Sequence, residues 1–400
     1  MRSLVLLSAA AATVMAGGYA IPESSINATA LSAAYVANAH GADAAYYNPA
    51  AMVYNDDANL LEVDATYIGL SKIHYATSSG SANIDSKNES FLVPTFHYSS
   101  KKLGDNGARL GFSIVAPAGL SKRWTSAPAV YSAEEFTLKT IEINPSIAVP
   151  LSDTVSMGVG FRIVRTDGVV KSTAPGPASR DLTGDAIDYG YNLALDYRPL
   201  SNVSLAATYR SKIDLNVEGS ANLQYGPSTY SGAASVTIPL PAALNLAAAY
   251  SFDSGTTVEA VYERTFWSAY KNLDFNYDGT VSAATVAFGT AIPKNYESTN
   301  SYRLGLTQKY DQWTAMAGIA YDETPTPEAT LGYELPDSDA WIVSLGGRYK
   351  IDESWNIGLA GLLDMKQNRE VHQSTGSNPI NGEFTNARAY LVTAGIEYRF

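Results

Sequence analysis

An alternation of period two runs through most of this chain and sets large apolar side chains on one side only. From Asp185 to Arg198, Ile187, Tyr189, Tyr191, Leu193, Leu195 and Tyr197 fall on one face, and Asp188, Gly190, Asn192, Ala194 and Asp196 on the other. A period of two belongs to a strand. Val155, Met157, Val159, Phe161 and Ile163 repeat it, as do Trp313 to Tyr321, Trp341 to Tyr349 and Trp355 to Leu363. A soluble sandwich would carry charge on its outward face. Here the outward rows are Leu, Val and Tyr, many of them ending in Tyr or Trp, as a lipid-facing band between aromatic girdles requires. Past the N-terminus no run approaches the ~20 apolar residues of a spanning helix. The expected fold is all-β, a transmembrane barrel.

Fourteen segments of this kind lie between 59–70 and 383–400, an even number. Leu151-Ser152, Pro199-Leu200, Asp253-Ser254, Asp311 and Ile351-Asp352 read as tight turns, whereas 172–180, 219–232, 277–295, 323–338 and 371–382 read as longer loops. Short turns on a periplasmic rim and long loops outside describe a Gram-negative outer-membrane barrel, with both termini expected at the periplasmic rim. The last segment, Ala389 to Phe400, must close against the first, because an open edge in lipid leaves backbone groups unpaired. Within the third segment, Arg109 to Leu120, Pro117 has no N–H for the ladder and Gly119 weakens it, so the wall is expected to bend or part there. The alternative is that Pro117 merely ends the strand at the rim.

Residues 1–16 read as a signal peptide: Arg2, an apolar run from Leu4 to Ala12, and Val14-Met15-Ala16 as the cleavage site before Gly17. Residues 17–57 fit no strand, and 58–400 form the barrel. The lumen of fourteen strands is too wide for wall side chains alone to fill, so 17–57 is expected to plug it, with Asn48, Pro49 and Ala50 at a bend inside.

Composition excludes several functions. With 27 Lys plus Arg against 39 Asp plus Glu, a net charge of −12 argues against nucleic acid. Zero Cys removes iron–sulfur clusters, thiolate zinc and thiol catalysis. His40, His74, His97 and His372 lack metal-ligand spacing, and the calcium-loop-like Asp274-x-Asn276-x-Asp278-Gly279 has Thr285 where the bidentate Glu belongs. Neither an enzyme nor a cofactor is expected.

Gly18-Tyr19-Ala20-Ile21-Pro22-Glu23-Ser24-Ser25, followed by Ala44 to Met52, resembles the hatch of the FadL-type long-chain fatty acid transporters of Gram-negative outer membranes. Further similar stretches are Ala116-Pro117-Ala118-Gly119-Leu120, Asn144-Pro145-Ser146, Tyr209-Arg210-Ser211, Thr265-Phe266-Trp267-Ser268, Tyr302-Arg303-Leu304-Gly305, and Tyr321 to Pro327 with Leu335-Pro336-Asp337. The resemblance implies a fourteen-stranded barrel plugged by an N-terminal hatch with short helices, and passive uptake of hydrophobic compounds, long-chain fatty acids foremost. It further implies capture among the outer loops, a luminal site beside the hatch, and exit through a gap in the wall. Loops 172–180 and 219–232 look short for an outer capture groove. Members that carry aromatic hydrocarbons share most of these motifs. Expected partners are a hydrophobic small molecule and outer-membrane lipid or other amphiphiles, around a monomer.

A carboxylate in an apolar tunnel needs a cation or several donors. If the apolar rows face lipid, Arg162, Arg210, Arg303 and Arg348 point inward and become candidate anchors. Their structural reading is pairing with wall carboxylates such as Glu62, Asp64 or Asp188, or with the hatch. A general porin or an adhesin-like structural barrel is the competing function, and residues 17–57 separate the two, since an open porin has no plug.

Overall fold

The computed structural model describes residues 17–279, 281–374, 376 and 378–400; the expected signal peptide lies outside them. Alternating segments pair antiparallel into one closed wall of fourteen strands. In chain order these are β1 (Leu60–Leu70), β2 (Glu89–Ser99), β3 (Arg109–Val115 and, past a break, Gly119–Arg123), β4 (Glu135–Pro150), β5 (Val155–Ala174) and β6 (Ala178–Leu200). Then come β7 (Val203–Arg210 and Ile213–Tyr225), β8 (Ser228–Leu240 and Ala243–Ser251), β9 (Thr256–Thr265), β10 (Thr299–Lys309), β11 (Trp313–Asp322), β12 (Ala340–Lys350), β13 (Trp355–Lys366) and β14 (Arg388–Arg399). β1 pairs with β2 on one side and β14 on the other, and Asn59 and Phe400 exchange backbone hydrogen bonds of 3.0 Å. The first and last strands of the wall therefore close on each other.

Outward rows stay exposed because lipid, not protein, covers them: Leu92, Leu345 and Leu359 are among the most exposed large side chains. Aromatic pairs bound the band. Trp313–Tyr349 and Trp355–Tyr398 meet at 4.5 and 4.3 Å near the short turns, and Tyr321–Trp341 and Tyr262–Tyr302 at 5.1 and 5.7 Å near the long connections.

Two expected loops are strand instead. Gly219 to Tyr225 pairs with Ser228 to Ala234, leaving only Gly226-Pro227 as a turn with Gly226 at φ 57°. β5 and β6 run on to Ala174↔Ala178 in the same way. On β5 and β6 the lipid row ends at Ile163 and Ile187, and outward positions beyond carry Arg165, Asp167, Lys171, Asp181 and Asp185. Past the bilayer both faces meet water, so Ser, Asn, Thr and Gly suffice and the sequence resembles a loop. Conversely, the ninth segment breaks after Thr265 and rejoins the wall only at Phe275–Tyr277, paired with Ala234 to Val236 of β8, and Asn381–Thr385 leaves the last one to join a small sheet with His74–Thr77, Asn83–Asp85 and Arg369–His372.

The two ends of the described chain do not share a rim. Phe400 ends beside Asn59 at the short turns, whereas the Gly18 N–H donates to Asp337 at 3.0 Å on the opposite, long-connection end. An even strand count places only the ends of the wall together; residues 17–57 then run the length of the lumen.

Topology can be tested because the chain has no cysteine of its own. G226C and T330C are expected to react with an impermeant thiol reagent on intact cells, and L200C and D352C only after lysis. The reverse pattern would invert the assignment.

Candidate functional site: the lumen and the breaks in its wall

Residues 17–57 are small and almost all buried within the wall. α1 (Ile26–Ala30) starts at Ser25, whose Oγ accepts from the Ala28 N–H at 3.2 Å. α2 (Ala44–Tyr47) leads to Asn48, which is extended at φ −151°, and Pro49 opens the short 3-10 helix Pro49–Tyr54. Proline biases the residue before it away from the helix and suits a first helical turn, so the chain bends at Asn48-Pro49-Ala50.

Wall side chains hold this segment. Glu259 accepts from the N–H groups of Val36, Ala37 and Asn38 at 2.7, 2.6 and 3.2 Å. Thr29 meets Thr393 at 2.9 Å, and Asn48 donates to Asp196 at 2.9 Å. Inward glycines make the room. A Cβ on Gly346 would lie 2.5 Å from that of Ala30, one on Gly358 2.8 Å from Ile26, and one on Gly158 2.5 Å from the Ala50 nitrogen.

All four expected arginines point inward and each finds a carboxylate. Arg348 donates to both Glu62 oxygens at 2.7 and 2.9 Å and to Asn27 Oδ1 at 2.7 Å. Arg303 lies 3.3 Å from Asp322 and donates to the Ser32 carbonyl at 3.2 Å. Arg162 and Arg210 share Glu142, an acid missed in the sequence although its place between outward Ile141 and Ile143 marks it as inward. Asp64 makes no hydrogen bond among the described residues, and Asp188 binds Asn216 instead of an arginine.

Removing Arg348 would leave Glu62, wholly buried, without its cation. R348M is expected to cost about 3–5 kcal/mol of barrel stability in denaturant titrations, with much of it restored in R348M/E62Q. No recovery in the double variant would deny the pairing its role.

Two cavities open on the lumen. One, with room of about 40 Å³, is lined chiefly by Phe136, Leu138, Val170, Leu182, Ile238 and Phe275, at the level where β5 and β6 have passed the lipid row. A second, about 80 Å³, lies between Tyr46, Tyr47 and Pro49 on one side and Thr208, Tyr209 and Arg210 on the other. Of the four arginines only Arg210 lines it; its guanidinium sits 4.3 Å over the Tyr46 ring, and its Nη1 has no partner among the described residues.

The wall breaks where Pro117 stands. Val115 pairs with Glu142 and Gly119 with Lys139, so four steps on β3 face three on β4, and Ala116-Pro117-Ala118 leaves the ladder. It turns inward to the N-terminal segment: the Ile21 N–H donates to the Pro117 carbonyl and the Gly119 N–H to the Tyr19 carbonyl, both at 2.9 Å. β2 pairs with β3 only from Phe96↔Ile114 to Ser99↔Gly111, and contact resumes at Lys87 N–H to Arg123 O. Residues 89–95 therefore have no ladder partner on that side among the described residues, although the Glu89 carboxylate accepts from Ser121 and Arg123 of β3. Pro117 interrupts a strand that continues, rather than ending one.

Glu23, two residues beyond the Ile21–Pro117 bond, is buried with neither oxygen hydrogen-bonded among the described residues. Burial, opposed by Arg303, pushes its carboxyl up to about 8. A carboxyl raised on docking stabilises the docked segment fully below its free value and loses that contribution as pH rises through about 8. Openings in planar bilayers are expected to be more frequent near pH 9 than near pH 7 in the natural chain, and less pH-dependent over that range in E23Q. Equal pH dependence in both would remove Glu23 from the cause.

Known proteins place this architecture. The chain is 24% identical over 394 residues to the long-chain fatty acid transport protein of Salmonella typhi, covering 88% of this chain and 87% of that one. With its counterpart from Escherichia coli K12 it shares 23% over 358 residues, 77% of each. In fold it is similar to a Pseudomonas aeruginosa FadL homologue (TM-score 0.83, 20% identity, 95% of this chain and 99% of that one). It is also similar to the Pseudomonas putida toluene transporter TodX (TM-score 0.73, 17% identity, 94% and 98%). A family model described as outer membrane protein transport protein (OMPP1/FadL/TodX) matches residues 7–400, and the chain belongs to that family of Gram-negative outer-membrane transport channels.

Proposed function

We propose that the protein takes up hydrophobic compounds passively, long-chain fatty acids foremost, and that its route is outer cavity, luminal site, lateral exit. The observation that carries this reading is one connected body of apolar side chains inside the barrel. It includes Phe136, Leu138, Leu182 and Ile238 at the outer cavity and Leu120, Ala118 and Tyr19 at the break in β3. Buried apolar surface on the lumen side serves no aqueous pore. A fatty chain moving along it gives up ~0.8 kcal/mol per CH₂ if it must enter periplasmic water, which favours leaving sideways into the bilayer.

In this reading residues 17–57 are the hatch, closing the lumen below the outer cavity. The free Nη1 of Arg210 and the adjoining cavity suit a carboxylate beside Tyr46 and Tyr47, which is the basis for preferring a fatty acid to a hydrocarbon. Arg162, Arg303 and Arg348, bonded to carboxylates as Arg210 is but away from this cavity, hold the wall to itself or to the hatch. A competing general porin would pass small sugars at the rate of other solutes of their size. Cells with this chain as their only channel of its kind are expected to accumulate labelled long-chain fatty acid and to exclude a labelled disaccharide. Entry of the disaccharide at a comparable rate would overturn the proposal, and R210M should weaken fatty acid uptake more than toluene uptake.

A further inference from the structure

We propose a second lateral window in the wall, between β6 and β7, through which an alkyl chain passes between the outer leaflet and the luminal apolar core. It rests on the reading of the protein as a channel for hydrophobic compounds, but on different residues. β6 pairs with the first half of β7 up to Asn192↔Arg210 and with the second half from Asp185↔Glu218. Between these, residues 186–191 face 211–217 with no ladder pairing among the described residues. Six residues stand opposite seven, a bulge at Ser211-Lys212 that switches which β7 positions point inward.

Side chains replace the missing ladder. The Tyr191 N–H donates to Ser211 Oγ at 2.9 Å, the Asn216 N–H to Asp188 Oδ2 at 3.0 Å, and Asn216 Nδ2 to Asp188 Oδ1 at 2.8 Å. One backbone bond, Ser211 N–H to Tyr191 O at 2.9 Å, spans the lower end. The Ser211 carbonyl turns inward to accept from Arg162 Nη1 at 2.7 Å, so the buried Arg162–Glu142 pair holds the bulge out of register. Removing Arg162 would free that carbonyl to rejoin β6.

The window is apolar on its lumen side and on the β6 half of its outer face, whereas the β7 half carries the exposed Lys212–Asp214 ion pair and Asn216. Outside stand Ile187, Tyr189 and Tyr191, exposed at the outer edge of the lipid row. Inside, Ile213 and Leu215 are buried in the same core as Leu182 and Leu120. Gly190 sits in the opening, and a Cβ there would come within 2.7 Å of both Ile213 and Ser211. Rotation of Ile213, with release of Asp188 from Asn216, would join leaflet to lumen without breaking a run of backbone hydrogen bonds.

The test locks the window. In D188C/N216C the introduced pair is the only pair of thiols. The full-length chain is placed in outer-membrane vesicles that already contain a sixteen-carbon fatty acid with a terminal diazirine, and the peptides it labels on irradiation are identified. Lumen-facing Ile213 and Leu215 are expected to be labelled in the natural chain and in the reduced pair. Labelling should fall roughly tenfold when the pair is oxidised, while labelling at Ala116 to Leu120 persists. R162M gives a second readout that needs no disulfide: with the bulge free to pair, labelling of Leu215 should also fall. Equal labelling with the disulfide shown complete overturns the window and leaves the exit at β3 standing. No luminal labelling in any form overturns the window and the transport reading together.

Discussion

Deleting residues 17–50 is expected to turn the protein from a closed barrel into a wide, ion-conducting pore. The deletion removes α1, which packs against β11, β12, β13 and β14, α2, which packs against β2 and β3, and the chain between them. What remains facing the lumen is a ring of charge: Glu62, Asp64, Asp196, Glu259, Arg303 and Arg348 lose their partners in the segment or the cover over them. Such a surface hydrates, and a barrel of this size without a plug has room for water across its width. The wall itself keeps its closed ladder, so folding and heat-modifiable migration on gels should survive. Single-channel recordings are expected to change from rare, brief events to a steady large conductance with cation preference, since the lumen keeps more acids than bases. The fatty acid preference should vanish at the same time, because the cavity beside Tyr46, Tyr47 and Pro49 disappears with the segment. Unchanged conductance in a correctly folded deletion variant would show that residues 17–57 do not close the pore.

What the sequence made legible follows the physics of lipid contact. The outward rows of β5, β6 and β11 to β14 could be read directly, since hydrocarbon demands apolar side chains at every second position and nothing else competes. The inward direction of Arg162, Arg210, Arg303 and Arg348 followed by parity from those rows. Where the chain leaves the bilayer this constraint lapses. Gly219 to Gly232 forms strands whose outward residues meet water, and its Ser, Asn and Gly resemble a loop although the ladder continues. Pairing partners also escape a linear reading. Glu142 bridges Arg162 and Arg210 across three strands, and only the closed wall brings them together. The upward course of Gly17 and Gly18 to Asp337 depends on contacts more than three hundred residues apart in the chain, for which local pattern carries no signal.

Healing the break in β3 is expected to have the other large effect. Ala116-Pro117-Ala118 is kept out of the ladder by two local features: proline has no N–H to give a neighbouring strand, and the extra residue opposite β4 throws the register off by one. Glu89 to Thr95, paired with β1 on one side, then has no ladder partner on β3 among the described residues, and the Ile21 and Tyr19 backbone groups bind the displaced strand from inside. In P117V/G119V a donor returns and a β-branched residue replaces the flexible glycine, so β3 gains the means to pair with β2 above Phe96. Uptake of a long-chain fatty acid should fall roughly tenfold if exit through this break limits the rate, while binding in the luminal cavity and barrel yield stay unchanged. A bound, unreleased ligand is thus the expected signature: normal equilibrium binding in detergent, slow delivery in cells. Amide exchange over residues 89–95 supplies the structural check, since new ladder bonds slow it. Rapid uptake by a variant whose 89–95 amides are protected would mean that hydrophobic molecules leave by another route, and the β6–β7 window would then be the first place to look.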